Sequence, residues 1–116
     1  MNKAKLDLSG FFGTDEWHRH WLGKMLYTDG VKYFAEEAGG GAYWFLDIIA
    51  TEVLPLQEKE EFIHIAMTVN DGKALITAGD GNGNKLWQRA LDFTDCPEGT
   101  WEFYLTDNVL LLPSEY

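Results

Sequence analysis

The chain has 116 residues, 46% of them hydrophobic and 24% charged, which suits one compact domain with one core and excludes two ordinary domains. Aromatic residues reach 15%, a content that disordered chains lack. Nineteen Asp and Glu against nine Lys and Arg leave a net charge of −10, so the chain repels bare nucleic acid and anionic lipid and favours basic partners.

The opening Met1-Asn-Lys-Ala-Lys-Leu-Asp7 turns acidic before any apolar run develops, which does not read as a secretory signal. Residues 1–24 carry a balance of +1, and the remainder carries −11. Gly10, Gly13 and Gly23 punctuate a loop-rich entry without clear periodicity. Asp29, or alternatively Thr28, then caps a helix through Val31-Lys-Tyr-Phe-Ala-Glu-Glu-Ala38, because either side chain accepts from the free amides of a first turn. Gly39-Gly40-Gly41 ends that helix. A second helix is predicted from Ala42 to Val53, with Trp44, Phe45, Ile48, Ile49 and Val53 buried and Pro55 just beyond its end.

The period then changes to two. Phe62–Val69 reads as a strand, Asn70-Asp71-Gly72 as a hairpin turn, and Lys73–Ala78 as the return strand. Further strands are predicted over Lys85–Phe93, Trp101–Thr106 and Val109–Leu112, separated by the Gly79–Asn84, Asp95–Gly99 and Asp107–Asn108 turns. The pattern predicts an α+β domain over residues 1–116: two N-terminal helices packed on one face of a C-terminal antiparallel β-meander of about five strands. The longest uncharged apolar-rich stretch, Ala38–Leu46, is far below the roughly 20 residues that span a bilayer, and one cysteine, Cys96, precludes an internal disulfide. A cytoplasmic location follows as the expectation.

Chemistry-bearing motifs are sparse. Asp80, Asn82 and Asn84 match the first ligand positions of an EF-hand loop, but Lys85 and Leu91 stand where that loop needs glycine and glutamate. A β-turn explains the same residues better. His18 and His20 flank Arg19, and on a strand they would share a face. A metal would still need a third ligand, from His64 or a carboxylate, against the charge of Arg19. Ser9, Ser114 and Cys96 lack a base or an elbow motif around them, and Glu58, Glu60 and Glu61 read as a solvated acidic loop. His64 alternates with Ile63 and Ile65, which places it on the solvent face or in a satisfied hydrogen bond. The sequence therefore predicts no enzyme, no resident cofactor and no membrane attachment. Most aromatics belong to the core. Phe11, Phe12, Trp17 and Trp21 are the best candidates for exposure, because their segment has no period, and exposed Trp is enriched at binding hot spots.

Four blocks, Phe12–Glu16, Leu26-Tyr-Thr-Asp-Gly-Val-Lys-Tyr33, Gly41-Ala-Tyr-Trp-Phe-Leu-Asp-Ile-Ile-Ala50 and Leu112-Pro-Ser-Glu-Tyr116, resemble a family of unknown function carried by bacteria, plasmids and phages. The resemblance implies a mobile-element accessory protein and transfers no catalytic or ligand residue. Joined to the acidic body, it leads to the expectation of a non-catalytic binding protein, an anti-defence inhibitor that docks on the basic surface of a nucleic-acid-binding host protein. Phe11, Phe12, Trp17, Trp21, Glu58, Glu60 and Glu61 would form the contact. The competing expectation is a small-molecule or metal-binding module using the His18–His20 segment or the Asp80–Asn84 loop.

Overall fold

The computed structural model describes residues 6–116. Its sheet has seven strands: β1 (His18–Arg19), β2 (Leu26–Tyr27), β3 (Phe62–Asn70), β4 (Lys73–Gly79), β5 (Lys85–Leu91), β6 (Gly99–Thr106) and β7 (Val109–Leu111). Their spatial order is β1-β2-β7-β6-β3-β4-β5. All neighbours are antiparallel except β2 and β7, which run parallel. This corrects the expected five-stranded meander in two ways. Two extra strands come from the entry segment, and β6 returns to the free side of β3 instead of pairing with β5.

The order follows from composition. In β3, Ile63, Ile65, Met67 and Val69 are all buried, so this strand is most stable with a neighbour on each side. In β5, Lys85, Gln88, Arg89 and Ala90 are exposed, a pattern suited to an edge. The connection from β5 to β6 must then cross the sheet end, and it is tied to the helical layer there. Gly40 N–H donates to Asp95 Oδ2 at 2.8 Å, and Thr94 and Cys96 are buried beneath it. The Asp71-Gly72 turn of the β3–β4 hairpin has φ of 57° and 75°, the geometry that the Asn-Asp-Gly sequence favours.

The helical layer also departs from the prediction. Helix α1 spans Asp29–Glu37, and Thr28 is its cap, its hydroxyl accepting from Val31 N–H. Val31, Phe34, Ala35 and Ala38 are buried, as the spacing requires. The second segment is one helical run of changing pitch: α2 (Tyr43–Ile48), a π turn over Ile49–Val53 and a 3₁₀ turn over Leu54–Glu58. It passes the predicted end at Val53 because Pro55 sits in the first turn of the 3₁₀ segment, where a missing N–H costs little. Leu46 is buried with Phe45, Ile49 and Val53, whereas Trp44 and Ile48 are half-buried at the margin. Phe34, Phe45 and Phe103 pack with ring centroids 4.9–5.7 Å apart and form the centre of the core between helices and sheet. Phe93 lies outside β5 and is exposed.

A second 3₁₀ turn, Pro113–Glu115, packs against the start of α1. The Glu115 carboxylate accepts from Thr28 Oγ1 at 2.5 Å, Gly30 N–H at 3.0 Å and Leu112 N–H at 3.0 Å. A side chain at position 30 would meet Leu112 Cδ1 at 2.5 Å and Glu115 Oε1 at 2.8 Å, so glycine is required by close approach. Among the described residues, no helix is long and apolar enough to cross a membrane.

Candidate functional site

The site is built on the β1–β2 hairpin, which folds its tip down on α2. Only two residues per strand pair, His18 with Tyr27 and Arg19 with Leu26. The tip is held by His20 N–H to Met25 O, Gly23 N–H to His20 O, both 2.8 Å, and Arg19 Nη1 to Gly23 O at 2.9 Å. Met25 and His20 are pulled into the protein, His20 to 3% exposure. The four residues between them, 21–24, are exposed, Trp21 and Leu22 among them.

His20 is fully satisfied. Its Nδ1 accepts the Leu22 N–H at 3.2 Å, which assigns the ring proton to Nε2, directed at Asp47 Oδ1 2.7 Å away. The same carboxylate oxygen accepts the Trp21 indole N–H at 2.8 Å. Trp21 is therefore 75% exposed yet fixed in orientation. One turn before Asp47 on α2, Tyr43 is half out of the surface beside Tyr27 and Glu36. Loss of solvent, then the proximity of Tyr27 and Glu36, pushes its phenol up to about 12, so it stays a neutral donor.

A second cluster lies at the start of α1. His18 Nε2 is 2.8 Å from Asp29 Oδ1, and Asp29 Oδ2 accepts Asp15 N–H at 2.9 Å. Hydrogen bonds from His18, then Asp15, hold the Asp29 carboxyl below the ordinary carboxylate range. In return Asp29 N–H donates to Thr14 Oγ1 at 2.9 Å, so the loop of residues 14–16 is strapped over the helix start. Glu16, His18 and Asp29 each offer a ligand atom within 4.8 Å of the others. The expected His18–His20 pair does not form a joint site, because each imidazole is turned to a different carboxylate and both nitrogens of His20 are engaged.

The remaining sequence candidates divide clearly. Phe12 is 82% exposed and Trp17 59%, as expected, while Phe11 is half-buried against Tyr33 with ring centroids 5.4 Å apart. Glu58 lines an open hollow of about 570 Å³ together with Lys24 from the hairpin, Leu54 and Asn108, so the hairpin and the acidic loop share one end of the protein. Glu60 and Glu61 have their carbonyls bound by the Gln57 side chain at 2.7 and 3.0 Å, and Glu61 turns toward Thr106 and Asp107. Phe11 stands beside α1, against Tyr33.

The Asp80–Asn84 loop is a turn closed on itself. Asp80 accepts from Asn84 Nδ2 at 2.8 Å, Asn82 N–H at 2.8 Å and Asn84 N–H at 3.3 Å, and these bonds hold its carboxyl below the ordinary range. His64 faces away from the helices and bonds Glu102 Oε1 at 3.0 Å. Cys96 is buried, and burial pushes its thiol up, away from a reactive thiolate. Asp47 and Tyr43 organise the site and were not singled out from sequence, and Asp29 was read there only as a helix cap, the place that Thr28 takes. Asp47 did carry a signal, since it is the only charge in Tyr43-Trp-Phe-Leu-Asp-Ile-Ile-Ala50 and lies four residues after Tyr43.

Residues 2–116 match the model of a family of unknown function, DUF6876, and the chain belongs to that family. No curated protein and no solved structure matches it.

Proposed function

We propose that this member of the family is a non-catalytic binding protein whose hairpin aromatics anchor a partner protein with a basic surface. The observation that supports this reading most is Trp21: three-quarters exposed, with its indole tethered through Asp47 to the buried His20. A large apolar side chain held in one orientation loses little entropy when it is covered, which is the property of an anchor residue. Trp17 and Phe12, in the segment that leads into the hairpin, are exposed as well. Net charge of −10 supplies the attraction to a basic partner.

The carboxylates occur on α1 (Glu36, Glu37), on the helical run (Asp47, Glu52, Glu58), in turns (Asp71, Asp80, Asp95, Asp107) and on β6 (Glu102). Such a spread favours steering by the whole molecule over imitation of a phosphate backbone by one face. The partner class is a nucleic-acid-binding protein of the host, and the anti-defence role extends the mobile-element resemblance. The test is capture from host lysate with wild-type and Trp21→Ala bait, read by mass spectrometry. Wild-type bait should retain a basic protein that Trp21→Ala loses, and equal recovery on both baits contradicts the proposal.

One observation favours a second reading, metal binding, through the Glu16, His18 and Asp29 ligand atoms. A ligand bound only by the folded state raises its stability, by about 2.7 kcal/mol at a hundredfold excess over Kd. A thermal shift with zinc or calcium that His18→Ala removes would support this reading. No shift with either ion would eliminate it.

A further inference from the structure

We infer, resting on the metal-binding reading, that Glu16, His18 and Asp29 hold a zinc-class divalent ion that pins the base of the β1–β2 hairpin to α1. The three residues come from three elements: the loop before the hairpin, β1, and the first position of α1. Each offers a ligand atom within 4.8 Å of the others; His18 and Asp29 are half-buried and Glu16 is exposed.

The donor set decides the class of ion. An imidazole suits zinc and its late first-row neighbours, whereas calcium and magnesium take shells of oxygen ligands. One imidazole nitrogen and two carboxylate oxygens supply three ligands of a four-coordinate zinc, and water takes the fourth place. With bonds of about 2.1 Å, neighbouring ligand atoms around a tetrahedral zinc lie roughly 3.4 Å apart. His18 Nε2 and Asp29 Oδ1 already stand 2.8 Å apart, and the exposed Glu16 side chain closes the remaining distance by rotating.

The bonds these residues already make are compatible with the ion. His18 Nε2 and Asp29 Oδ1 share one proton, which the ion replaces while keeping both atoms. Asp29 Oδ2 retains the Asp15 N–H at 2.9 Å, the kind of bond that orients a metal-bound carboxylate. Glu16 accepts the Thr14 hydroxyl through its carbonyl, and its carboxylate has no hydrogen bond among the described residues. Arg19 does not oppose the ion as its place between the histidines suggests. Alternation along β1 turns it to the other face, where its guanidinium donates to Gly23 O at 2.9 Å. Two carboxylates thus stand within 4.8 Å of one another, and among the described residues no lysine or arginine pairs with either. A divalent cation relieves that repulsion. The other histidine–carboxylate pairs, His20 with Asp47 and His64 with Glu102, gather no third ligand among the described residues. In sequence the hairpin tip that carries Trp21 lies between His18 and Asp29, so the ion cross-links the two ends of that segment.

Titration calorimetry on the full chain after chelator treatment, with zinc and separately with calcium, tests the inference. Zinc should bind one ion per chain and raise Tm, and calcium should do neither. Glu16→Ala should weaken zinc binding about tenfold or more, since losing even a group that supports a ligand costs that much. His18→Ala should weaken it further, and His64→Ala should leave it unchanged. Glu16 is exposed, so its variant decides the question even if His18→Ala fails to fold. Calcium bound as tightly as zinc and lost with Glu16→Ala overturns the choice of ion and leaves the metal-binding reading standing. Zinc bound equally by wild type and Glu16→Ala overturns the three-ligand site. No binding of either ion removes the inference and the reading together.

Discussion

Replacing Glu115 with alanine should destabilise the protein far more than its position one residue from the C-terminus suggests. The carboxylate holds three donors, Thr28 Oγ1, Gly30 N–H and Leu112 N–H, and so fastens the start of α1 to the end of the chain. A hydrogen bond to a charged group contributes about 1.5–3 kcal/mol net. Glu115 is half-exposed, which lowers each contribution, and water can replace it in part; the loss should be about 2–4 kcal/mol. For a chain of this size that is a fall in Tm of roughly 6–20 °C. Glu115→Gln should fall between, since an amide nitrogen facing Gly30 N–H opposes donor to donor. Gly30→Ala should cost a comparable amount, because the added carbon meets the Leu112 and Glu115 side chains, although alanine itself favours a helix. The two losses should not add, because Glu115→Ala removes part of the obstruction. Thermal and urea unfolding of the two single variants and the double variant measure this. A Glu115→Ala change of less than about 0.5 kcal/mol, or strict additivity with Gly30→Ala, would refute the clamp.

At the opposite corner, Gly39 has φ +56° and an added Cβ would lie 2.4 Å from the Asp95 carbonyl oxygen, so Gly39→Ala should cost more than 2 kcal/mol in urea unfolding. The Asp29 carboxyl is lowered by His18 and Asp15, so its contribution to stability is complete above the unfolded carboxylate value of about 3.9 and is lost as pH falls through its lower folded value. Asp29→Asn should therefore lower Tm at pH 7 and flatten the decline between pH 5 and 2; an unchanged acid limb contradicts this. Trp21→Ala should leave Tm within about 2 °C of wild type, because the ring covers little of the core, and a larger fall would recast Trp21 as a structural residue.

The readable parts of the fold are those with a period. Strands β3, β4 and β6 alternate buried and exposed residues over seven to nine positions, and turns such as Asn70-Asp71-Gly72 mark their ends. Strands β1 and β2 have two residues each, too few for any alternation to register, and β2 exists because Leu26 and Thr28 amides find the Asn108 and Leu110 carbonyls. Strand order was hidden because β6 could pair with β5 or β3 on local grounds, and the choice depends on burying both sides of β3. The Leu26–Tyr33 and Leu112–Tyr116 blocks are distant in sequence and meet in space at Glu115, so their content is structural. For the site, the absence of periodicity around Trp17 and Trp21 correctly pointed to exposed aromatics. The carboxylates that hold the neighbouring side chains lie on two helices, and sequence spacing does not encode that approach.

Kinetics of partner binding by wild type and Trp21→Ala, with the captured partner immobilised, test the central claim most directly. Carboxylates that steer should make association slow steeply as salt rises from 0.05 to 0.5 M, since the screening length at 0.1 M is about 10 Å. An anchoring Trp21 should show in dissociation, which Trp21→Ala should accelerate about thirtyfold or more, a loss of about 2 kcal/mol. An association rate indifferent to salt, with equal dissociation of the two proteins, contradicts the account.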